Sequence, residues 1–194
     1  MTSITGVVLA GGRGRRMGHV DKGLQPFRGE PMIALVLRRF APQVNELLIN
    51  ANRNLDEYAR FGYPVVPDNI EGFAGPLAGL HAGLSAGRHE LVVTAPCDSP
   101  LLPLDLVSRL HSSLTEARAQ LAVAKTFSQV HPVFCLCRRD LLAHLTQFLE
   151  RGGRKIDAWY ATLDVVEVPF DDQPQAFSNA NTPEELRDLE RAVG

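Results

Sequence analysis

The stretch Ile4-Thr5-Gly6-Val7-Val8-Leu9-Ala10-Gly11-Gly12-Arg13-Gly14-Arg15-Arg16-Met17-Gly18, followed closely by Asp21-Lys22, decides how the rest of the chain is read. Its apolar, β-branched first half predicts a buried strand, and the glycines and arginines straight after it predict an anion-binding loop. Without a Cβ, glycine lets successive backbone N–H groups line a concavity for phosphate oxygens. Arginine and lysine neutralise what those amides cradle, so the stretch reads as a site for a nucleoside triphosphate.

Two better-known phosphate motifs do not fit. The dinucleotide fingerprint G-x-G-x-x-G could start at Gly12 and Gly14, but Met17 stands where its third glycine belongs. A Walker A loop needs Lys and then Ser or Thr after its last glycine, whereas Lys22 precedes Gly23 and Leu24 follows.

Working outward, Ile33, Val36, Leu37 and Phe40 recur at helical spacing after Pro31. Residues 46–51 predict a second strand, 52–61 a short helix, 63–66 a third strand, 67–76 a loop and 77–86 a glycine-containing helix. Residues 90–95 form an almost wholly apolar run, as a parallel strand covered on both faces requires. Val107, Leu110 and Leu114 give a helix stripe, 121–124 and 132–136 two strands, and Leu141, Leu142, Leu145, Phe148 and Leu149 another helix face. Residues 165–168 predict a last strand, and Leu186, Leu189 and Val193 a closing helix. Strands alternating with helices imply one three-layer α/β domain, Rossmann-like, spanning 1–194 around a mostly parallel sheet. Such sheets bind ligands outside the carboxyl ends of their strands.

The chain has 194 residues, 45% hydrophobic and 22% charged, as in ordinary globular domains, with a net charge of −2. That balance gives no basic field, so nucleic acid is not the expected partner. No apolar run reaches the length of a spanning helix and the first residues do not read as a signal peptide, so no membrane association and a cytoplasmic location are expected. Cys97, Cys135 and Cys137 match neither a zinc site nor a disulfide framework, and read as buried reduced thiols.

Pro96-Cys97-Asp98-Ser99-Pro100 directly follows the apolar strand, which puts a carboxylate at a strand's carboxyl end. Mg²⁺ accompanying a nucleoside triphosphate is typically held by one or two carboxylates plus phosphates and waters, so Asp98 is the expected metal ligand; its structural alternative is an Asx turn. Gly83-Leu84-Ser85-Ala86-Gly87 spells the nucleophile elbow of hydrolases, but it ends a helix and precedes a strand, the reverse of the required order.

The first loop resembles the nucleotidyltransferase signature L-A-G-G-x-x-x-R-M-G-x-x-D-K through Leu9-Ala10-Gly11-Gly12, Arg16-Met17-Gly18 and Asp21-Lys22. On these residues the chain is similar to the molybdenum cofactor guanylyltransferases, which join GMP from GTP to molybdopterin. The resemblance is dense at residues 7–22, 75–79, 96–100 and 179–185. It implies that Leu9, Ala10, Gly11, Gly12, Lys22, Asn50, Asp68 and Asp98 bind GTP, with Asp98 on Mg²⁺. Lys22 and Arg16 would stabilise the charge that builds on departing pyrophosphate.

Gly75-Pro76-Leu77-Ala78-Gly79 matches the family's G-P-L-A-G, and in the guanylyl-transferring branch Gly75, Pro76, Leu77 and Gly79 are implied to meet the base. Ser178-Asn179-Ala180-Asn181-Thr182-Pro183-Glu184-Glu185 resembles N-x-N-T-P-E-E, with Thr182, Pro183 and Glu185 as a helix start. Asn179 and Asn181 either bind molybdopterin or order that loop; Arg154 and Lys155 are further candidates for the acceptor's phosphate. The expected reaction takes GTP and molybdenum-molybdopterin to the guanine dinucleotide and pyrophosphate, with other cofactor-biosynthesis proteins and client molybdoenzymes as partners. The alternatives are a cytidylyl- or sugar-nucleotide-forming transferase on the same fold, and a non-catalytic GTP-binding adaptor that delivers cofactor.

Overall fold

Strand β1 (Ile4–Leu9) is almost wholly buried and lies at the centre of the molecule. The computed structural model describes residues 2–10, 21–70, 75–178 and 185. β1 pairs in parallel with β4 (Glu46–Asn50) on one side and β6 (Leu91–Pro96) on the other. The remaining strands of the main sheet are β5 (Val65–Val66), β7 (Leu121–Thr126), β8 (Gln129–Arg138) and β9 (Val165–Pro169). Their order is β5-β4-β1-β6-β8-β7-β9, and only β8 runs against the rest. A small ribbon, β2 (Pro26–Phe27) with β3 (Glu30–Pro31), precedes the first helix.

Alternation along the strands builds two cores, because successive side chains leave a strand on opposite faces. On one face Val8, Ile49, Val93 and Leu136 pack with α1 (Met32–Phe40) and α4 (Leu106–Ala117). On the other, Val7, Val92, Val123 and Cys135 pack with α3 (Pro76–Ala86), α5 (Leu142–Glu150) and α6 (Ile156–Tyr160). The three-layer α/β architecture is the one the sequence implies. All three cysteines are free and buried. Ser85 donates its hydroxyl to the His81 carbonyl inside α3, so it forms no nucleophile elbow.

The strict alternation of strand and helix fails at the β2–β3 ribbon, which is not among the elements expected from sequence, and again within the main sheet. Thr126 pairs with Gln129, so β7 and β8 form a hairpin with Phe127-Ser128 at its tip, and a two-residue turn forces antiparallel pairing. Phe127 adopts φ 50°, a left-handed conformation usually supplied by Asn or Gly, so its sequence carries no hairpin signal. Two further elements differ from expectation. The helix placed at 52–61 is only α2 (Leu55–Ala59), and α6 is too short to show a period. The closing helix, with Leu186, Leu189 and Val193, lies outside the described residues.

Candidate active site

β1 sits between β4 and β6, and Leu9 is in register with both Asn50 and Pro96. Their carboxyl ends therefore open side by side, with neighbouring strands about 5 Å apart. The Ala10 N–H donates to the Asn50 carbonyl at 2.8 Å, and the Cys97 N–H donates to the Leu9 carbonyl at 3.1 Å. These bonds fix the first turn of each loop, and two clusters of polar side chains gather there.

The first cluster is a cation and a carboxylate. Lys22 Nζ lies 3.1 Å from Asp98 Oδ2, and the side chains are 26% and 10% exposed. Asp98 lies in the turn just past the end of the apolar strand β6, as its position predicts. Lys22 opens the 3₁₀ turn Lys22–Leu24 that precedes the ribbon. Asp98 Oδ1 has no hydrogen bond among the described residues. Burial pushes the adjacent Cys97 thiol up, and the Asp98 and Asp21 charges push the same way, so the sulfur keeps its proton and is no nucleophile.

The second cluster surrounds Asp68. Asn50, 2% exposed at the end of β4, donates from Nδ2 to Asp68 Oδ1 at 2.8 Å and to the Val66 carbonyl at 3.1 Å. Asn52 donates from Nδ2 to Asp68 Oδ2 at 2.8 Å and accepts the Asp68 N–H on Oδ1 at the same distance. Both carboxylate oxygens are thus oriented by amides. Asn52 was not among the residues singled out from sequence; its only signal is the run of asparagines at 50, 52 and 54 just after a strand.

Helix α3 covers this cluster. It runs back along the sheet between β5 and β6, so its N-terminus and the positive end of its dipole lie at the strands' carboxyl end. A Cβ on Gly79 would come within 2.4 Å of Asn50 Oδ1 and 2.8 Å of Leu9 Cδ2, so a larger residue here would have to displace both side chains. Gly75 and Pro76 are exposed at the helix start, whereas Leu77 is fully buried in the second core. The Leu77 side chain therefore anchors the helix, leaving only its backbone for a ligand.

The structure brings Leu9, Ala10, Lys22, Asn50, Asp68, Gly75, Pro76, Gly79 and Asp98 to one end of the sheet. Gly11, Gly12 and Arg16 lie outside the described residues, as do Asn179 and Asn181. α5 runs antiparallel to α3, since Arg139, just before α5, donates to the Leu84 carbonyl and Thr146 meets His81. Its C-terminal turn, with Arg154 and Lys155, consequently points to the same end as Gly75. Arg154 Nη1 donates to the carbonyls of Leu149 and Gly153, which caps that helix.

The β6–β8 ladder ends at Val93 with Leu136, although β6 continues to Pro96 and β8 begins at Gln129. Register between β7 and β8 jumps from Val123 with Cys135 to Ala124 with His131, so Pro132, Val133 and Phe134 bulge, and the Thr94 hydroxyl on β6 donates to the Val133 carbonyl at 2.7 Å. Pro132 is tolerated in this central strand because a bulge asks for no ladder hydrogen bond from it. His131 stands just before the bulge, stacked on Phe177 with ring centroids 4.7 Å apart. Phe177 leads directly into the segment that carries Asn179 and Asn181.

Among the described residues no three His, Cys, Asp or Glu side chains cluster as a metal cage. A lone, nearly buried carboxylate with one uncommitted oxygen fits a divalent cation that arrives on a triphosphate and keeps waters and phosphates as its other ligands. It does not fit a permanently resident, all-protein metal site. No helix among the described residues is long and apolar enough to cross a membrane.

Residues 6–165 match the model of the MobA-like NTP transferase domain. A protein of Ralstonia nicotianae named molybdenum cofactor guanylyltransferase is 53% identical over 197 aligned positions, covering 97% of this chain and 96% of its own. One of the same name from Bordetella petrii is 52% identical, with 97% of each chain covered. Among solved structures, molybdopterin-guanine dinucleotide biosynthesis protein A from Archaeoglobus fulgidus superposes with a TM-score of 0.82 at 25% identity, covering 97% of this chain and 98% of that one.

Proposed function

The chain belongs to the MobA-like NTP transferase family, and on that premise we propose that it transfers GMP from GTP to molybdenum-molybdopterin, releasing pyrophosphate. The observation that carries this reading is the Lys22–Asp98 pair placed beside the Asn50–Asn52–Asp68 cluster at one end of the sheet. One is a site for a metal-bound triphosphate tail, the other an oriented hydrogen-bonding site for the nucleoside.

In this scheme the first loop, with Gly11, Gly12 and Arg16, cradles the phosphates on backbone amides and a guanidinium. Gly75, Pro76, the Leu77 backbone and Gly79 border the base, and Asn50 and Asp68 hold the nucleoside. Asp98 would hold the Mg²⁺ that arrives with GTP, and the ion would supply charge neutralisation at the phosphate oxygens. Lys22 stabilises the negative charge that grows on departing pyrophosphate. The acceptor's terminal phosphate is ionised near neutral pH, so the chain supplies position and charge rather than a nucleophile or strong base.

The C-terminal half, through Asn179, Asn181, Arg154 and Lys155, receives the acceptor. The same reading places the protein in the cytoplasm, where client molybdoenzymes and other cofactor-biosynthesis proteins use its product. The test is pyrophosphate release by purified protein with Mg²⁺, molybdopterin and either GTP, CTP or UTP. Release with GTP is the expected result. Preference for CTP or UTP would identify a different transferase, and GTP binding without release would identify a delivery adaptor.

A further inference from the structure

One short segment touches both polar clusters. Asn50 and Asn52 orient Asp68, and a few residues on, Asn54 Nδ2 donates to Asp21 Oδ2 at 3.0 Å while the Tyr58 hydroxyl donates to Asp21 Oδ1. We propose that Tyr58 and Asn54 are positioning residues for the transfer, acting through Asp21 to set where Lys22 places its charge. What this latch does in turnover rests on the function proposed above.

Tyr58 is wholly buried and packs in the first core, with its ring against Phe61 at 6.5 Å between centroids. A buried tyrosine hydroxyl requires a partner, and here the partner belongs to the catalytic loop rather than to the core. Burial, Cys97 and Asp21 all raise the affinity of this hydroxyl for its proton, so it remains a donor. Asp21 then has a donor on each oxygen, which makes it an anchor.

The next two residues complete the arrangement. Lys22 reaches Asp98, and a Cβ on Gly23 would meet Tyr58 Oη at 2.8 Å and Cys97 Sγ at 3.1 Å. The backbone that carries Lys22 is therefore pinched between α2 and the loop that carries Asp98. A lysine has a long flexible stem, so the location of its ammonium depends on how firmly its backbone is held.

Tyr58→Phe keeps the ring and its packing but removes the donor. With GTP, Mg²⁺ and molybdopterin, kcat should fall by roughly tenfold or more while the KM for GTP stays within about twofold, because position rather than contact is lost. The double variant with Asp21→Ala should be no slower than Asp21→Ala alone, since both break one connection. Tyr63→Phe should match the wild type. In crystals of Tyr58→Phe, Lys22 Nζ should leave hydrogen-bonding distance of Asp98.

Wild-type turnover by Tyr58→Phe, multiplied losses in the double variant, or an undisturbed Lys22 in the crystal would each overturn the proposal. Should Tyr58→Phe fail to fold, Asn54→Gly removes the exposed second donor yet keeps the left-handed φ of 51°. A loss of kcat supports the latch, and an unchanged kcat refutes it. If the wild type forms no dinucleotide at all, the function proposed above fails, and the crystal of the variant still decides the latch.

Discussion

Lys22 Nζ and Asp98 Oδ2 meet at 3.1 Å although 76 positions separate them in the chain. The first comes from the loop after β1 and the second from the end of β6, so the parallel pairing of these two strands creates the contact.

Asp98→Asn keeps the shape of the side chain and removes its charge. Mg²⁺-dependent pyrophosphate release should fall by about 10²- to 10³-fold, the scale for loss of one preorganised electrostatic group. The far-UV circular dichroism should match the wild type. Full turnover in Asp98→Asn would exclude it as the metal ligand.

In the proposed reaction the Lys22 charge matters most as pyrophosphate departs, so Lys22→Ala should lower kcat more than it raises the KM for GTP. Lys22→Arg should recover only part of the rate, since a planar guanidinium is a poor substitute for a compact ammonium against one carboxylate oxygen. Steady-state kinetics on the three proteins checks both statements.

Asn52→Ala removes one amide from Asp68 and leaves Asn50 in place. The KM for GTP should rise about tenfold, the cost of roughly one hydrogen bond to a charged group, with kcat nearly unchanged. Equilibrium binding of GTP without acceptor should weaken in proportion.

Gly79→Ala pushes a methyl group into Asn50 Oδ1 and Leu9. Stability should drop by about 1–3 kcal/mol, as for other overpacked sites, and GTP affinity should fall with it. Denaturant titration measures the first effect and calorimetry the second.

His81 lies between α3 and α5, bonded to Thr146 at 2.9 Å, and burial lowers its pKa below the ordinary 6.5. Its other ring nitrogen, Nδ1, is buried without a hydrogen bond among the described residues. The unfolded chain therefore binds this proton more readily than the folded one. Stability is fully present above pH 6.5, and is progressively lost as pH falls from 6.5 through the lowered folded value. His81→Gln should flatten that part of the profile, as read by thermal melts from pH 8 down to about pH 5.

Much of this site can be read from local pattern. The apolar run before Gly11 and the one before Asp98 are strands because continuous β-branched stretches suit a sheet covered on both faces, and ligand loops follow strand ends in such sheets. Asn52, Asn54 and Tyr58 were not legible in the same way. Each acts through a carboxylate brought close by folding: Asp68 in the loop after β5 for Asn52, and Asp21 in the loop after β1 for the other two. A tyrosine on a short helix looks, in one dimension, like any other core residue.

The sequence by itself determined the α/β class, the apolar strand that leads into the glycine-rich stretch and the apolar strand that leads into Asp98, because hydrophobic period is a local property. Only the tertiary structure decided that β8 turns back on β7 around Phe127, that β8 bulges at Pro132, and that α2 grips the residue before Lys22. Those outcomes depend on which strands become neighbours and which side chains then compete for the same space, and such pairings act across distances in the chain that no local pattern encodes.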